Sequence, residues 1–210
     1  MKILLVNPPT PTTPKAILDA PLGLGYIGAV LEAKGYQVCA LDMAVEQAPW
    51  QMLTRVLQDL APQVVGITAV ASTFGFALEI ARICKECNSS VIVIVGGVHV
   101  TLVDNLAALL KPTVDFVVFG EGEYTLLELV RAIEQNDSVE KVKGIGYHRD
   151  RQLVKTAPQP FIVDLDALPL PSRHLFPMHK YEQTHVMSSR GCKYRCLFCS
   201  SRDFWKGTVR

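Results

Sequence analysis

The sequence predicts an α/β chain built on a doubly wound parallel sheet. Short apolar runs recur with glycine or polar stops, helical stretches alternate with them, and the alternation continues to about residue 137.

The first run, KILLVN (2–7), is continuously apolar with a polar end, the pattern of a strand buried on both faces. A Pro/Thr-rich loop follows, from Pro8 to Pro14. A helix is expected from about Leu22 to Lys34, stopped by Gly35. YQVCALD (36–42) is the second strand, and Trp50 to Leu60 the next helix, ended by Ala61-Pro62. VVGITA (64–69) is the third strand, with its helix over Phe74 to Glu86. VIVIVGG (91–97) is the fourth, followed by a helix from about Leu102 to Leu110. DFVVFG (115–120) is the fifth, with a helix from Tyr124 to Glu134.

Five βα units in series call for a five-stranded parallel sheet covered on both faces, of the flavodoxin-like kind. Residues 1–137 form this first domain. Composition then changes. Residues 138–181 hold a small hairpin, KGIGYHRD and RQLVKTAP turning near Asp150, and then a Pro-rich linker from Pro158 to Pro177. Residues 182–210 begin a third segment, with THVMSS (184–189) as a short strand leading into a cysteine-rich loop.

Ligands on open α/β sheets bind outside the carboxyl ends of the strands, at the switch point. Asn7 and Pro8 follow the first strand. Thr68, Ser72 and Thr73 put hydroxyls after the third, suited to a nucleotide tail. Gly96 and Gly97 end the fourth, where a bulky ligand needs close backbone approach, and His99 lies just beyond. Gly120 and Gly122 flank Glu121 after the fifth. Glycines at strand ends are also ordinary turn geometry, and a histidine at a helix start can simply bond the backbone. Both readings stay open on the residues alone.

The chain has 210 residues, 49% apolar and 20% charged, with a net charge of +1. That balance points away from nucleic acid or an acidic membrane surface as a partner. No apolar run approaches the roughly 20 residues of a membrane span. MKILLVNPP lacks a small-residue cleavage site and reads as a first strand, not a signal peptide. Six cysteines in a chain this size, with so large a core, fit a reducing cytoplasm better than a disulfide framework. Cys39 alternates into a strand. Cys84 and Cys87 make a C-x2-C at a helix end with no second pair, and they read as ordinary thiols.

The remaining three are different. SRGCKYRCLFCS (189–200) spaces Cys192, Cys196 and Cys199 as C-x3-C-x2-C, so three thiolates can converge on one iron–sulfur cube, and Gly191 allows the tight approach. Three ligands leave one iron of four open to a small chelating ligand. The alternatives are zinc, which wants a fourth protein ligand, or free thiols.

This spacing, with Phe198 just before the last cysteine, resembles the radical SAM superfamily. The preceding α/β units, the Pro-rich linker, and the motifs NPP (7–9), PLGLGYIGAVLEAKGYQV (21–38), GITA (66–69), GGVHVT (96–101) and FGEGE (119–123) extend the likeness. They are similar to the cobalamin-binding-domain class of that superfamily, which includes anaerobic Mg-protoporphyrin monomethyl ester cyclases and cobalamin-dependent methyltransferases. The resemblance implies a [4Fe–4S] cluster on Cys192, Cys196 and Cys199, with S-adenosylmethionine on the open iron and an external electron donor. It also implies cobalamin surrounded by the strand-end loops named above.

The Asp-x-His-x-x-G motif of cobalamin-dependent methionine synthase and mutases has no counterpart here, so no lower histidine ligand comes from the first strand end. The resemblance further implies a catalytic barrel of roughly 200 residues, far more than follow Cys199. The chain is therefore expected to be the N-terminal portion of a parent enzyme, inactive alone. The parent would act on a small-molecule substrate by methyl transfer to carbon, or by oxidative cyclisation or ring rearrangement. An isolated ligand-binding module is the third reading.

Overall fold

A computed structural model of the chain describes residues 1–11, 19–150 and 152–210. Part of the loop expected over Pro8 to Pro14 lies outside them. Strands β1 (Lys2–Asn7), β2 (Gln37–Asp42), β3 (Val64–Thr68), β4 (Ile92–Gly96) and β5 (Phe116–Val118) are all parallel, in the order β2-β1-β3-β4-β5. The chain leaves β1 for one side and returns to the other as β3, so the switch point lies between β1 and β3.

Strand periodicity sorts the core into two layers. Leu4 and Val6 of β1 point to one face, where α2 (Pro49–Leu60) and α3 (Phe74–Cys87) supply Leu53, Leu57, Ile80 and Cys84. Ile3 and Leu5 point to the other, covered by Leu24 and Leu31 of α1 (Leu22–Glu32) and by Leu126, Leu129 and Val130 of α6 (Gly122–Gln135). Between β4 and β5, two short helices, α4 (Val98–Leu102) and α5 (Leu106–Leu109), replace the single helix expected from Leu102. Val103, Asp104 and Asn105 separate them.

The sheet does not stop at five strands. The expected hairpin is present as β6 (Ile145–Arg149) and β7 (Gln152–Lys155), but it joins the sheet. β6 pairs antiparallel with β5, Val118 opposite Ile145, giving seven strands in all. Ile145 and Tyr147 thereby enter the core on the α1/α6 side. A hairpin of this size is marginal by itself, and the open edge of β5 gives it a partner.

The Pro-rich segment forms a strap over the same layer. Ile162, Leu168 and Phe176 are buried in it. The Ser172 N–H donates to Gly25 O at 3.0 Å, and a Cβ on Gly25 would stand 3.1 Å from Pro171 Cβ. Gly25 and Gly28 of the PLGLGYIGAVL stretch thus make room for the strap. Tyr181 ends it, donating its hydroxyl to Asp42 Oδ2 at 2.8 Å. Burial and the nearby Asp42 carboxylate push the Tyr181 hydroxyl well above its ordinary range.

No strand forms over 184–189, contrary to expectation. Val186 is 84% exposed, and these residues have no ladder partner among the described residues. Beyond them lies α7 (Ser201–Trp205).

Candidate functional site

A cavity of about 480 Å³ opens at the carboxyl ends of β1, β3, β4 and β5. Its floor contains Leu5, Gly66, Ile94 and Val118 of the strands, with Leu126 of α6. Asn7, Pro8, Thr68 and Thr73 line it, as do Gly96, Gly97, Gly120, Glu121 and Gly122. Of the residues singled out in the sequence, Ser72 and His99 are not in its wall. Ser72 is exposed, and the His99 ring packs on Phe74 with centroids 4.5 Å apart.

The turn after β4 shows why glycine stands there. Gly97 has φ +103°, and a Cβ on it would lie 2.6 Å from Ala69 O and 2.9 Å from Ala69 N. The Ala69 N–H donates to Gly96 O at 2.8 Å, locking this turn to the end of β3. Thr101 ties the next turn in, its hydroxyl donating to Gly97 O and accepting from the Gly120 N–H at 2.8 Å. Three strand ends are thus joined through backbone and the Thr101 hydroxyl, and the missing side chains of Gly96, Gly97 and Gly120 leave space at the cavity.

Several polar groups at the rim are already committed. Asn7 donates its amide to Asp42 Oδ1 at 2.8 Å. The Thr73 hydroxyl accepts from the Val70 N–H at 3.1 Å. Glu121, read from sequence as a ligand contact, spends its carboxylate on the protein. Oε1 accepts from Arg190 at 2.8 Å, and Oε2 from Arg210 and from the Ile162 N–H, both at 2.8 Å. Arg190 also reaches Glu123 Oε1 at 2.6 Å. Burial opposes ionisation of Glu121, but the hydrogen bonds of Arg210, Arg190 and Ile162 outweigh it and hold the carboxyl below its ordinary range. The guanidinium of Arg190 is likewise disfavoured by burial and more than compensated by Glu123 and Glu121.

This network docks the cysteine loop onto the sheet. Arg190 precedes Gly191 and Cys192, and the backbones of Arg190 and Arg210 exchange two 2.8 Å hydrogen bonds. Gly191, at φ +114°, faces Val209 in the resulting bridge, where a Cβ would fall 2.0 Å from Thr208 O. Within the loop, Cys196 is exposed and Cys192 and Cys199 are partly so; none is in a disulfide. Hydrogen bonds from Ser201, side chain and backbone, lower the Cys199 thiol. Among the described residues, no three of His, Cys, Asp and Glu are drawn together as a metal-holding group. The loop offers three reachable thiols without gathering them. Leu197 and Phe198 between them are each 93% exposed.

The pair Cys84 and Cys87 diverges: Cys84 is buried in the core and Cys87 is exposed. Burial, then the neighbouring Cys87, pushes the Cys84 thiol up to about 12.

An apolar cavity floored by glycine at a switch point suits a large, flat, weakly polar ligand whose atoms approach backbone closely. The family model of the B12-binding domain matches residues 20–130. The chain belongs to the B12-binding domain family. It is 36% identical over 209 residues to an uncharacterized methyltransferase of Pyrococcus horikoshii, covering 96% of this chain and 45% of that protein. It is 32% identical over 217 residues to the anaerobic magnesium-protoporphyrin IX monomethyl ester cyclase of a Synechocystis strain, covering 98% and 43%. The radical S-adenosylmethionine methyltransferase TsrM of Kitasatospora setae, solved with cobalamin and a [4Fe-4S] cluster bound, superposes with a TM-score of 0.73. That match has 20% identity and covers 99% of this chain and 42% of that one. The resemblance to cobalamin-binding-domain radical SAM enzymes therefore holds over nearly the whole chain, in sequence and in fold. The chain spans less than half the length of these relatives.

Sequence reasoning missed Gly66, Arg190, Phe204 and Trp205, all of which line the cavity. Gly66 stood inside a quoted motif, and a glycine within a strand is a signal for close approach. The other three carry no local signal. They reach the cavity only because the loop folds back.

Proposed function

We propose that this chain binds cobalamin in the cavity at the ends of β1, β3, β4 and β5. In this reading it is the N-terminal part of an enzyme that carries a [4Fe–4S] cluster and S-adenosylmethionine on Cys192, Cys196 and Cys199. The carrying observation is the cavity itself, a B12-family switch-point pocket whose floor is backbone and small apolar side chains. Its 480 Å³ suits the base and sugar of the cofactor's nucleotide tail. Gly97, Gly96 and Gly66 would give the tail its close approach, and Thr68 stands at the rim with Gly120.

Bound there, the cofactors would supply a transferable methyl group and a one-electron route to a carbon-centred radical. The chain's own residues bind and orient. The strand-end turns fix the cavity wall, and the Glu121 network holds the cysteine loop at its mouth. The enzyme would take its electron from an external donor, work in a reducing, cytoplasmic setting, and methylate carbon in a small-molecule substrate. The 32% identity to a cyclase supports oxidative cyclisation as a second reading.

Titrating the purified chain with hydroxocobalamin tests the binding. A bound, base-off visible spectrum at micromolar concentration is expected, and an unchanged spectrum rejects the reading. After anaerobic reconstitution with iron and sulfide, Cys196→Ala is expected to lose the cluster absorbance. A variant that kept it would remove Cys196 from the ligand set.

A further inference from the structure

The wall of the cavity is not all α/β domain. Phe204 and Trp205, on the turn of helix that follows Cys199, line it together with Arg190 and Met187. We infer that Phe204 and Trp205 form a ligand-contacting aromatic wall, held in place by Glu121 through Arg210; this rests on the cofactor reading above.

Three observations carry it. First, α7 packs against α4, the helix that begins immediately after Gly97, so the aromatic pair stands beside the glycine turn that ends β4. Second, the pair is built in. The rings of Phe204 and Trp205 meet edge-to-face at 4.6 Å, and Trp205 lies 5.8 Å from Phe161 of the strap. The Arg210 guanidinium lies over both the Phe161 and the Trp205 rings, at 4.7 and 5.3 Å from their centroids. Third, that guanidinium is anchored: it donates to Glu121 Oε2 at 2.8 Å and to Ile162 O at 2.6 Å. Glu121 itself lies in the turn after β5 that lines the same cavity. One carboxylate therefore ties the aromatic pair to that strand-end turn.

An aromatic pair so placed offers an apolar face to a flat ligand, and the guanidinium stacked on the Trp205 ring stiffens it. The wall also makes the cavity sensitive to the cysteine loop. Anything that releases α7 removes the aromatic face, and by reciprocity a ligand resting on that face favours the docked loop.

The test uses the full chain with Trp50→Phe, which leaves Trp205 as the single tryptophan. Hydroxocobalamin affinity is measured from the visible spectrum. Trp205→Ala is expected to weaken it about tenfold or more, equal to about 1.4 kcal/mol. Trp205→Phe is expected to restore it to within about threefold of the parent. Equal affinities in the parent and Trp205→Ala overturn the inference. Without ligand, Trp205 emission is expected to be blue-shifted, and to become solvent-like in Glu121→Gln at unchanged far-ultraviolet circular dichroism. Solvent-like emission in the parent overturns the wall. A parent that leaves the hydroxocobalamin spectrum unchanged sinks the cofactor reading instead. The wall then stands or falls on the two emission spectra.

Discussion

Replacing Arg190 by methionine tests the buried network most directly. Arg190, Glu121 and Glu123 have side chains only 4–7% exposed. The substitution leaves Glu121 with Arg210 and the Ile162 N–H, but takes from Glu123 the one cation placed on it among the described residues. A buried carboxylate without a partner costs about 3–5 kcal/mol. The cost has a ceiling, because the carboxyl can take a proton instead. At 1.36 kcal/mol per pH unit above an ordinary carboxyl value, that ceiling is about 3.7 kcal/mol at pH 7 and about 1.6 kcal/mol at pH 5.5. Urea unfolding followed by circular dichroism should therefore show a loss of about 3–3.5 kcal/mol at pH 7, shrinking to about 1.5 kcal/mol at pH 5.5. The sign follows from the charge: a carboxylate buried without its cation is penalised only while ionised, so the penalty is present at higher pH and relieved on acidification. Adding Glu123→Gln should recover more than half of the loss at pH 7. A loss below about 1 kcal/mol at pH 7 would refute the argument, as would a loss that does not shrink with pH.

Other perturbations follow the same geometry. In the parent chain the Glu121 carboxyl is held low, so its contribution is present above the ordinary carboxylate value and lost as pH falls through the depressed one. Trp205 emission in a Trp50→Phe chain should stay constant from pH 7 to about 5 and turn solvent-like only below the ordinary carboxylate range; release between pH 5 and 7 would contradict this. Gly97→Ala puts a Cβ 2.6 Å from Ala69 O in a left-handed backbone, and should cost about 2–4 kcal/mol in chemical unfolding. Tyr181→Phe removes the hydroxyl on Asp42 Oδ2, and should cost about 1.5–3 kcal/mol by the same measurement, as for a hydrogen bond to a charged group.

The parallel sheet was legible because β1 to β5 must be buried on both faces, and only continuous apolar runs satisfy that. The strand-end glycines were legible for a related reason: Gly97 occupies a backbone conformation that other residues resist. The rest depended on partners distant in sequence. KGIGYHRD announced a hairpin, yet nothing in it says that Ile145 pairs with Val118. THVMSS has the alternation of a strand, but a strand also needs a neighbour, and Val186 has only solvent. Glu121 looked like a ligand contact because it lies between two glycines at a strand end. Its partners stand 69 and 89 residues away, and no spacing rule reaches that far. The Leu102 to Leu110 helix failed at Val103 to Asn105, where α4 ends in an extended residue.

The paired backbone hydrogen bonds of Arg190 and Arg210 turn the segment they close into a ring of 21 residues. Closing a flexible ring of that size costs on the order of 3 kcal/mol of chain entropy. The two arginines on Glu121 offset that cost. In the proposed reading, bringing Cys192, Cys196 and Cys199 around a common centre would then be a rearrangement inside a closed loop. It can proceed without disturbing the sheet to which both ends are tied. The same economy makes the ring fragile at one point, since neutralising a single carboxylate loosens its two ends together.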